Sequence, residues 1–199
     1  MTVNLPPLPP VPGEEHRPGG RSIADLVDAE HRQLRELTRR LADPDADPAG
    51  ALDVLVAELS RHLSAEEQYL LPAVRAAVPG TDDRVAEVLA ADAGLRSALR
   101  GLGRGSIDDV TTRIDAHVAA VGDLVDRLRA SATEEELIRL GNRLEIAEEA
   151  APTRPHSGIP TTPPWNRIVE PAVGVVDKVR DAVTGRSTHL RDLTEPPTE

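Results

Sequence analysis

The sequence predicts an all-α protein, in which an up-down-up-down bundle of four helices is followed by one or two additional C-terminal helices. Two observations lead to this prediction. Apolar residues recur at steps of three and four over four segments of similar length, and short loops rich in proline, glycine and aspartate separate the segments. The chain also has one Trp, one Tyr and no Phe, so its core must consist of aliphatic side chains, which favours helices.

The composition divides the chain of 199 residues into four parts. Residues 1–20 are rich in proline and glycine without periodicity, and they predict a disordered arm. Residues 21–149 carry the helical periodicity and predict the bundle. Residues 150–187 combine a proline-rich connector with a valine-rich amphipathic helix, and residues 188–199 predict a frayed tail.

The first two helices have clear boundaries in the sequence. The first is predicted to open at Ser22, with Asp25 at its third position as in a capping box, and to run to about Leu41. The second contains the stretch ALDVLVAELSRHLSAEEQYLLPAV and ends near Val78. Pro72 is expected to bend its last turns.

The later helices follow the same logic. Thr81 is predicted to cap the third helix, whose first turn is acidic, and Ser106 to cap the fourth after the glycine stop GRGS. A fifth, shorter helix, TEEELIRLGNRLEIAEE, begins at Thr133.

Composition and charge exclude several classes of function. The chain has no cysteine, which excludes disulfides, thiolate metal sites and a cysteine nucleophile. A formal charge of −11 argues against a general binder of nucleic acid or of anionic membranes. No signal peptide and no apolar run long enough for a membrane span is evident, so we expect a cytoplasmic protein without stable membrane insertion. Any metal must be held by histidine and carboxylate, the ligands that suit iron, manganese or zinc.

Polar residues interrupt the apolar stripe of each bundle helix near its midpoint. They are His31, the i, i+4 pair His62 and Glu66, Asp92, and His117. Because midpoints of antiparallel helices lie at one height, these residues should converge in one layer of the core. Buried polar groups are costly unless they are paired, so the layer is either a set of internal ion pairs or a metal site.

The ion-pair alternative has its own candidates. In that case Glu66 and Asp92 would pair with protonated histidine or with an arginine such as Arg96. Glu30 and Glu67 are expected to face away from the stripe centre towards solvent, although either could lean inwards. Tyr69 is expected in the core, with its hydroxyl near the polar layer. No nucleophile elbow, catalytic triad or phosphate-binding loop is present.

Three stretches resemble the hemerythrin-like HHE cation-binding family: DLVDAEHRQLRELTRRL, RHLSAEEQYLLPAV and DAHVAAVGDLVDRL. The tail from EELIRLGNRLEIAEEAAPTRPH onwards is similar to an extension found on many bacterial members, so the resemblance covers residues 21 to about 185. It implies a four-helix bundle that holds non-haem iron, in the family a di-iron centre that binds oxygen, nitric oxide or peroxide or that senses iron.

The resemblance also implies which residues hold the metal. His31, His62, Glu66 and His117 match the ligands of the first, second and fourth helices, and the best-preserved set is His31, His62 and Glu66. Asp92 stands where the third-helix histidine belongs, and it remains a candidate ligand. Val121 replaces the carboxylate that bridges the two irons in the family. The resemblance therefore implies a weakened or mononuclear iron site rather than a bridged pair.

Three interpretations of function remain open from the sequence. The first is non-haem iron binding, with a diatomic molecule or peroxide as the small ligand. The second is a metal-free bundle that serves as a structural or protein-interaction module. The third is an enzymatic variant, such as peroxide turnover at the residual iron. In each, the valine-rich face within residues 166–185 is expected to contact the bundle, a second copy or a partner protein.

Overall fold

A computed structural model describes residues 18–43, 48–102, 107–153, 188–189 and 193. It contains six α-helices and one π-helical turn, and no strand occurs in these residues. The helices are α1 (Ile23–Leu41), α2 (Pro48–Ala65), α3 (Leu71–Ala77), α4 (Asp82–Gly101), α5 (Ile107–Ser131) and α6 (Glu134–Ala150). The π-helical turn, Glu66–Leu70, joins α2 to α3, so that α2 and α3 form one rod.

Four rods form the predicted bundle. Helix α1 packs against α2 and α5, α4 packs against α5, and α2 completes the ring through its contacts with α4. Rods that are consecutive in the chain are therefore neighbours, as expected for an up-down-up-down bundle. Helix α6 is the additional helix, and it lies against α1, α2 and the π turn. The predicted fold class is confirmed.

The side-chain caps follow the sequence in two of three cases. The Ser22 hydroxyl accepts a hydrogen bond from the N–H of Asp25 at 3.1 Å, and Thr133 forms a full capping box with Glu136. Thr81 stands at the N-cap position of α4 as predicted, but its side chain makes no capping hydrogen bond. Its hydroxyl donates to the carbonyl of Val78 at 2.8 Å instead, and it closes the turn between α3 and α4.

The π turn lies where the sequence predicts a bend. The N–H of Leu71 donates to the carbonyl of Glu66, five residues back, where an α-helix would reach back four. Pro72, which has no N–H to offer to the ladder, follows directly. The π turn buries Glu66, Glu67 and Gln68 in succession, and it continues a run of buried residues that begins at Leu59 in α2, where α6 packs on the rod in addition to the bundle helices.

Helix α6 is fastened to the start of α1 by a close approach. A Cβ atom on Gly141 would lie 2.2 Å from the carbonyl oxygen of Arg21 and 3.0 Å from the nitrogen of Ile23, so only glycine fits. Beside it, the side chain of Asn142 donates to the carbonyl of Gly19 at 3.1 Å. The position of every later residue of α6 depends on this contact.

The apolar core consists of two separate clusters. The first, called here the α6 half, contains the early part of α1, α3, the start of α4, the later part of α5, and α6. The second, the α2 half, contains the later part of α1, most of α2, the end of α4 and the early part of α5. His31 and Asp92 lie between these stretches on α1 and α4, and His117 lies close to the point on α5 where the two clusters meet, so a polar layer divides the core.

Several predictions fall outside the described residues. They are the arm up to residue 17, the Ser106 cap, and the connector and valine-rich segment over residues 154–187. Three tail residues are described: Arg61 donates to the carbonyl of Thr188 at 2.5 Å and approaches His189, and Leu193 packs on the α2 half. For the rest of the tail, fraying stays a prediction. None of the helices within the described residues has the length and apolarity that a membrane span requires.

Candidate metal centre

Three of the six histidines of the chain meet one carboxylate in the polar layer. His31 comes from α1, His62 from the last turn of α2, His117 from α5, and Glu66 from the first residue of the π turn. Each of the four residues is at most 4% exposed. One ligand atom from each lies within 4.8 Å of the ligand atoms of the other three.

The three imidazole rings form a triangle around Glu66. Their centroids are 5.0–5.4 Å apart, and their planes cross at 73–84°. Each ring turns its Nε2 atom towards the carboxylate. His62 Nε2 lies 3.3 Å and His31 Nε2 lies 3.7 Å from Glu66 Oε1, and His117 Nε2 lies 3.3 Å from Oε2.

These separations match those between ligands that share a metal ion. At metal–ligand distances of about 2.1 Å, neighbouring ligand atoms lie roughly 3.0 Å apart at right angles and roughly 3.4 Å apart in a tetrahedron. The distance from His62 Nε2 to His117 Nε2 is 3.2 Å. The cluster therefore already has nearly the spacing of a coordination shell.

The donor atoms also lack other partners. His31 Nε2 and both oxygens of Glu66 are buried without a hydrogen bond. Buried polar atoms are nearly always satisfied in native proteins, and each exception calls for an explanation. A cation between the four side chains would satisfy all three atoms, so the residues present fit a metal ion.

The charges of the metal-free cluster are set by its neighbours. Burial by itself lowers the pKa of His117, but the charge of Glu66 and the hydrogen bond to Asp92 outweigh it and raise that pKa to about 10. Burial raises the pKa of Glu66, yet the charges of His62 and His117 hold it well below its ordinary value. Burial lowers the pKa values of His31 and His62, which keeps both imidazoles neutral and able to act as ligands.

Asp92 lies beside the cluster and contacts one of its members, His117, without belonging to the four converging groups. Its Oδ1 is 2.7 Å from Nδ1 of His117, on the far side of that ring from Glu66. This contact fixes the imidazole so that Nε2 points at the cluster. Whether Asp92 is a metal ligand stays a prediction, but its observed position is that of a group that orients a ligand.

The predicted pairing of Arg96 with the polar layer is wrong in its partner. Arg96 forms its ion pair with Glu67, which is 3% exposed and was expected to face solvent. The difference follows from burial on more than one face, because the rod is buried at every residue from Leu59 to Gln68 and α6 contacts it there. Tyr69 is half-buried and packs against the α6 half. Val121 is fully buried one turn after His117.

Two further carboxylates adjoin the cluster. Glu30 Oε2 lies 2.8 Å from Nδ1 of His62, so the expectation that Glu30 is solvated is wrong. Glu148 of α6 contacts Glu30, and the two carboxylates together with His62 form a second group of ligand atoms within 4.8 Å. Burial raises the pKa of Glu30 to about 8 and that of Glu148 to about 9. Sequence reasoning missed Glu148, although it lies four residues after Leu144 on the apolar stripe of α6.

Two clefts lead to the layer from opposite sides. A cleft of about 380 Å³ lies between α4 and α5 and reaches His117 and Asp92 past the small side chains of Ala91, Ala116 and Ala120. A smaller one of about 160 Å³ lies between α1, α2 and α6 and reaches Glu30, His62 and Glu148. The cluster is therefore buried and yet close to solvent on two sides.

Comparison with known proteins gives one match. The profile of the hemerythrin HHE cation binding domain matches residues 22–141, which is more than half of the chain. No curated protein and no solved structure matches the chain. The matched region contains α1–α5 and all four residues of the converging cluster, and it ends within α6. The chain belongs to the hemerythrin HHE cation-binding family.

Proposed function

We propose that the protein binds one non-haem iron ion between His31, His62, Glu66 and His117. The observation that carries the proposal is the set of three buried donor atoms without partners, His31 Nε2 and the two oxygens of Glu66, at coordination-like distances from two further imidazole nitrogens. Three imidazoles and one carboxylate suit ferrous iron better than magnesium or calcium, which prefer oxygen ligands.

The surrounding residues have defined roles in this proposal. Glu30 and Asp92 accept hydrogen bonds from the Nδ1 atoms of His62 and His117, which holds each Nε2 towards the ion. The α4–α5 cleft gives a small ligand a route to the His117 side of the cluster. A bound ferrous ion with four protein ligands has open coordination positions, at which oxygen, nitric oxide or peroxide can bind.

Anaerobic loading with ferrous iron, followed by element analysis of the desalted protein, tests the proposal. The wild type should retain iron, and Glu66→Gln should lose one iron per chain. Glu67→Gln is the matched control, because Glu67 is the neighbouring buried carboxylate but belongs to the Arg96 ion pair. It should lose stability and keep its iron. A folded wild type that stays free of iron, or a Glu66→Gln variant that binds as much as the wild type, would contradict the proposal.

A metal-free structural role is the second candidate, and one observation favours it. The imidazolium of His117 lies between Asp92 at 2.7 Å and Glu66 at 3.3 Å, so the layer balances part of its own charge. In that case the iron measurement gives no metal, and His117→Leu causes the same loss of stability with and without added iron. Docking of a partner through residues 166–185 stays a prediction of this alternative.

A further inference from the structure

A second set of metal-ligating groups meets on the outer side of His62. Glu30 comes from α1, His62 from α2 and Glu148 from α6, so three different helices contribute. Their ligand atoms lie within 4.8 Å of one another, and Glu30 Oε2 is 2.8 Å from His62 Nδ1. The outer set uses the Nδ1 atom of His62. The inner cluster uses the other ring nitrogen, Nε2, which faces Glu66.

The outer set brings two half-buried carboxyl groups into contact with each other and with one imidazole. Glu30 is hydrogen-bonded to the His62 ring at 2.8 Å and also to the carboxyl group of Glu148. Arg21 lines the adjoining cleft but pairs with Glu145 at 3.1 Å. Arg61, next to His62 in the chain, pairs with Glu58 at 3.0 Å. The set therefore lacks a cation of its own among the residues that the structure describes.

The site has room for an ion and its waters. The cleft of about 160 Å³ is bordered by all three residues of the set. A water molecule occupies about 30 Å³ of the liquid, so this volume accommodates a hydrated divalent cation that gives up part of its shell. Two carboxylates and one imidazole, with water in the remaining positions, suit manganese and ferrous iron.

We propose that Glu30, Glu148 and the Nδ1 atom of His62 form a second divalent-cation site, so that His62 lies between two ions when both sites are filled. The outer ion takes the place of the proton on Nδ1 and of the protons that Glu30 and Glu148 hold at neutral pH, and all of these protons leave to solvent. With Nε2 on the inner ion, the ring is then an imidazolate that bridges the two. The sharing of His62 rests on the proposed inner site, whereas binding by the outer set does not.

One of the three ligands of this second site, Glu148, lies where the family profile does not reach. Glu148 follows the matched region 22–141, and α6 brings it to the bundle through the close approach at Gly141. On α5, the residue one turn after His117 is the buried and apolar Val121, so that position offers no ligand to the inner layer. The extra carboxylate enters from outside the four-helix ring, on the other face of His62.

The experiment uses Mn²⁺ alone, titrated anaerobically into the full chain, with bound ion counted from the loss of the free-ion electron paramagnetic resonance signal. The wild type should bind two ions per chain, and Glu148→Gln should bind one fewer. Glu149→Gln, the exposed neighbour on α6, is the matched control and should keep both. Glu148→Gln keeps the size and the hydrogen-bonding capacity of the side chain, so it should fold, which circular dichroism and thermal melting can verify.

This design tests the inner site and the outer site independently of each other. Glu66→Gln removes the inner ion and should leave one Mn²⁺ that Glu148→Gln then abolishes. With both sites filled, the wild type should show an exchange-coupled signal that either substitution removes. If Glu148→Gln binds as many ions as the wild type, the outer site is overturned, while loss of an ion in Glu66→Gln would still support the inner one.

Discussion

Asp92 determines which nitrogen of His117 is offered to the cluster. It accepts the Nδ1 proton at 2.7 Å, and both side chains are about 1% exposed, so the ring has no other orientation available at low cost. An asparagine in its place could present its amide group to Nδ1, which would favour the other tautomer of the ring.

Asp92→Asn should therefore weaken ferrous iron binding by roughly 10- to 100-fold while it preserves the fold. Asp115→Asn, at an exposed ion pair with Arg35, is the control and should leave the affinity unchanged. The measurement is an anaerobic competition titration against a chelator. A second readout is the imidazole ¹⁵N spectrum, in which the His117 tautomer should change only in Asp92→Asn. Unchanged affinity in this variant would show that Asp92 does not position His117.

Glu58 is the residue whose titration should be visible in stability. Burial by itself raises its pKa, but the hydrogen bond with His189 and the charge of Arg61 outweigh it and hold the pKa below the ordinary value of 4.5. The folded protein then binds a proton at Glu58 less readily than the unfolded chain. The stabilisation is complete above pH 4.5 and is lost as the pH falls through the lower folded pKa.

Glu58→Gln should lower the free energy of unfolding by about 1–2 kcal/mol at pH 7, because Arg61 is buried and loses its charged acceptor. The difference from the wild type should shrink at pH 3. Urea unfolding at the two pH values measures both effects. Glu135→Gln, in an exposed pair with Arg139, should change the free energy little at either pH. A Glu58→Gln deficit that persists at pH 3 would contradict the assigned charge state.

At the scale of elements, the close approach of α6 to α1 can be tested with two glycine-to-alanine substitutions that should change stability in opposite directions. Gly141 and Gly122 both lie inside helices, where alanine normally stabilises by about 0.5–1 kcal/mol. A Cβ on Gly122 meets nothing within 4 Å, so Gly122→Ala should follow the rule. Gly141→Ala would place its Cβ against the backbone of Arg21 and should destabilise by about 1–3 kcal/mol.

Thermal and urea unfolding of the two alanine variants measure these signs. Gly141→Ala should also weaken Mn²⁺ binding at the outer set, since it displaces the helix that carries Glu148, and it should spare the inner set. Stabilisation by both substitutions would mean that α6 does not approach α1 as closely as described.

The sequence predicts the bundle and the buried polar positions because both depend on helical periodicity. His31, His62, Glu66, Asp92 and His117 interrupt apolar stripes, and such interruptions are visible without a structure. Glu67 could not be placed this way, since this part of the rod is buried on more than one face and not along a single stripe. Pro72 is the local hint that the hydrogen-bond ladder is disturbed there.

The position of α6 was beyond the reach of periodicity for a different reason. Its stripe indicates that one face is buried but not which seam of the bundle covers it. Gly141 and Asn142 hold α6 against the segment before α1. The residues that they contact lie more than a hundred positions earlier in the chain, so a local pattern cannot reveal these contacts. The convergence of Glu148 with Glu30 follows from that docking and therefore needed the structure.

For the whole molecule, the polar layer is a plane that separates two apolar clusters. The α6 half and the α2 half each have their own fully buried side chains, such as Leu124 and Leu55. The layer between them contributes little apolar burial and contains donor atoms without partners. In the metal-free protein it should therefore reduce stability relative to an apolar layer of similar volume.

A variant with leucine at positions 31, 62, 66 and 117 and valine at position 92 tests this expectation. It should be more stable than the metal-free wild type by about 1–4 kcal/mol, measured by urea unfolding in the presence of a chelator. Added ferrous iron should stabilise the wild type and leave the variant unchanged, since an ion that binds only the folded state shifts the unfolding equilibrium. A less stable variant would mean that the polar layer is well satisfied without metal.

The location of Glu148 near the end of α6 has a consequence for biosynthesis. A chain emerging from the ribosome exposes His31, His62, Glu66 and His117 before it exposes α6, so the proposed inner set can assemble before the outer one during translation. The outer set is incomplete until α6 has docked at Gly141. If both proposed sites form, newly made protein should acquire its ions in a fixed order, inner before outer, and a nascent chain arrested with α5 outside the ribosomal tunnel and α6 still inside it should already retain the first.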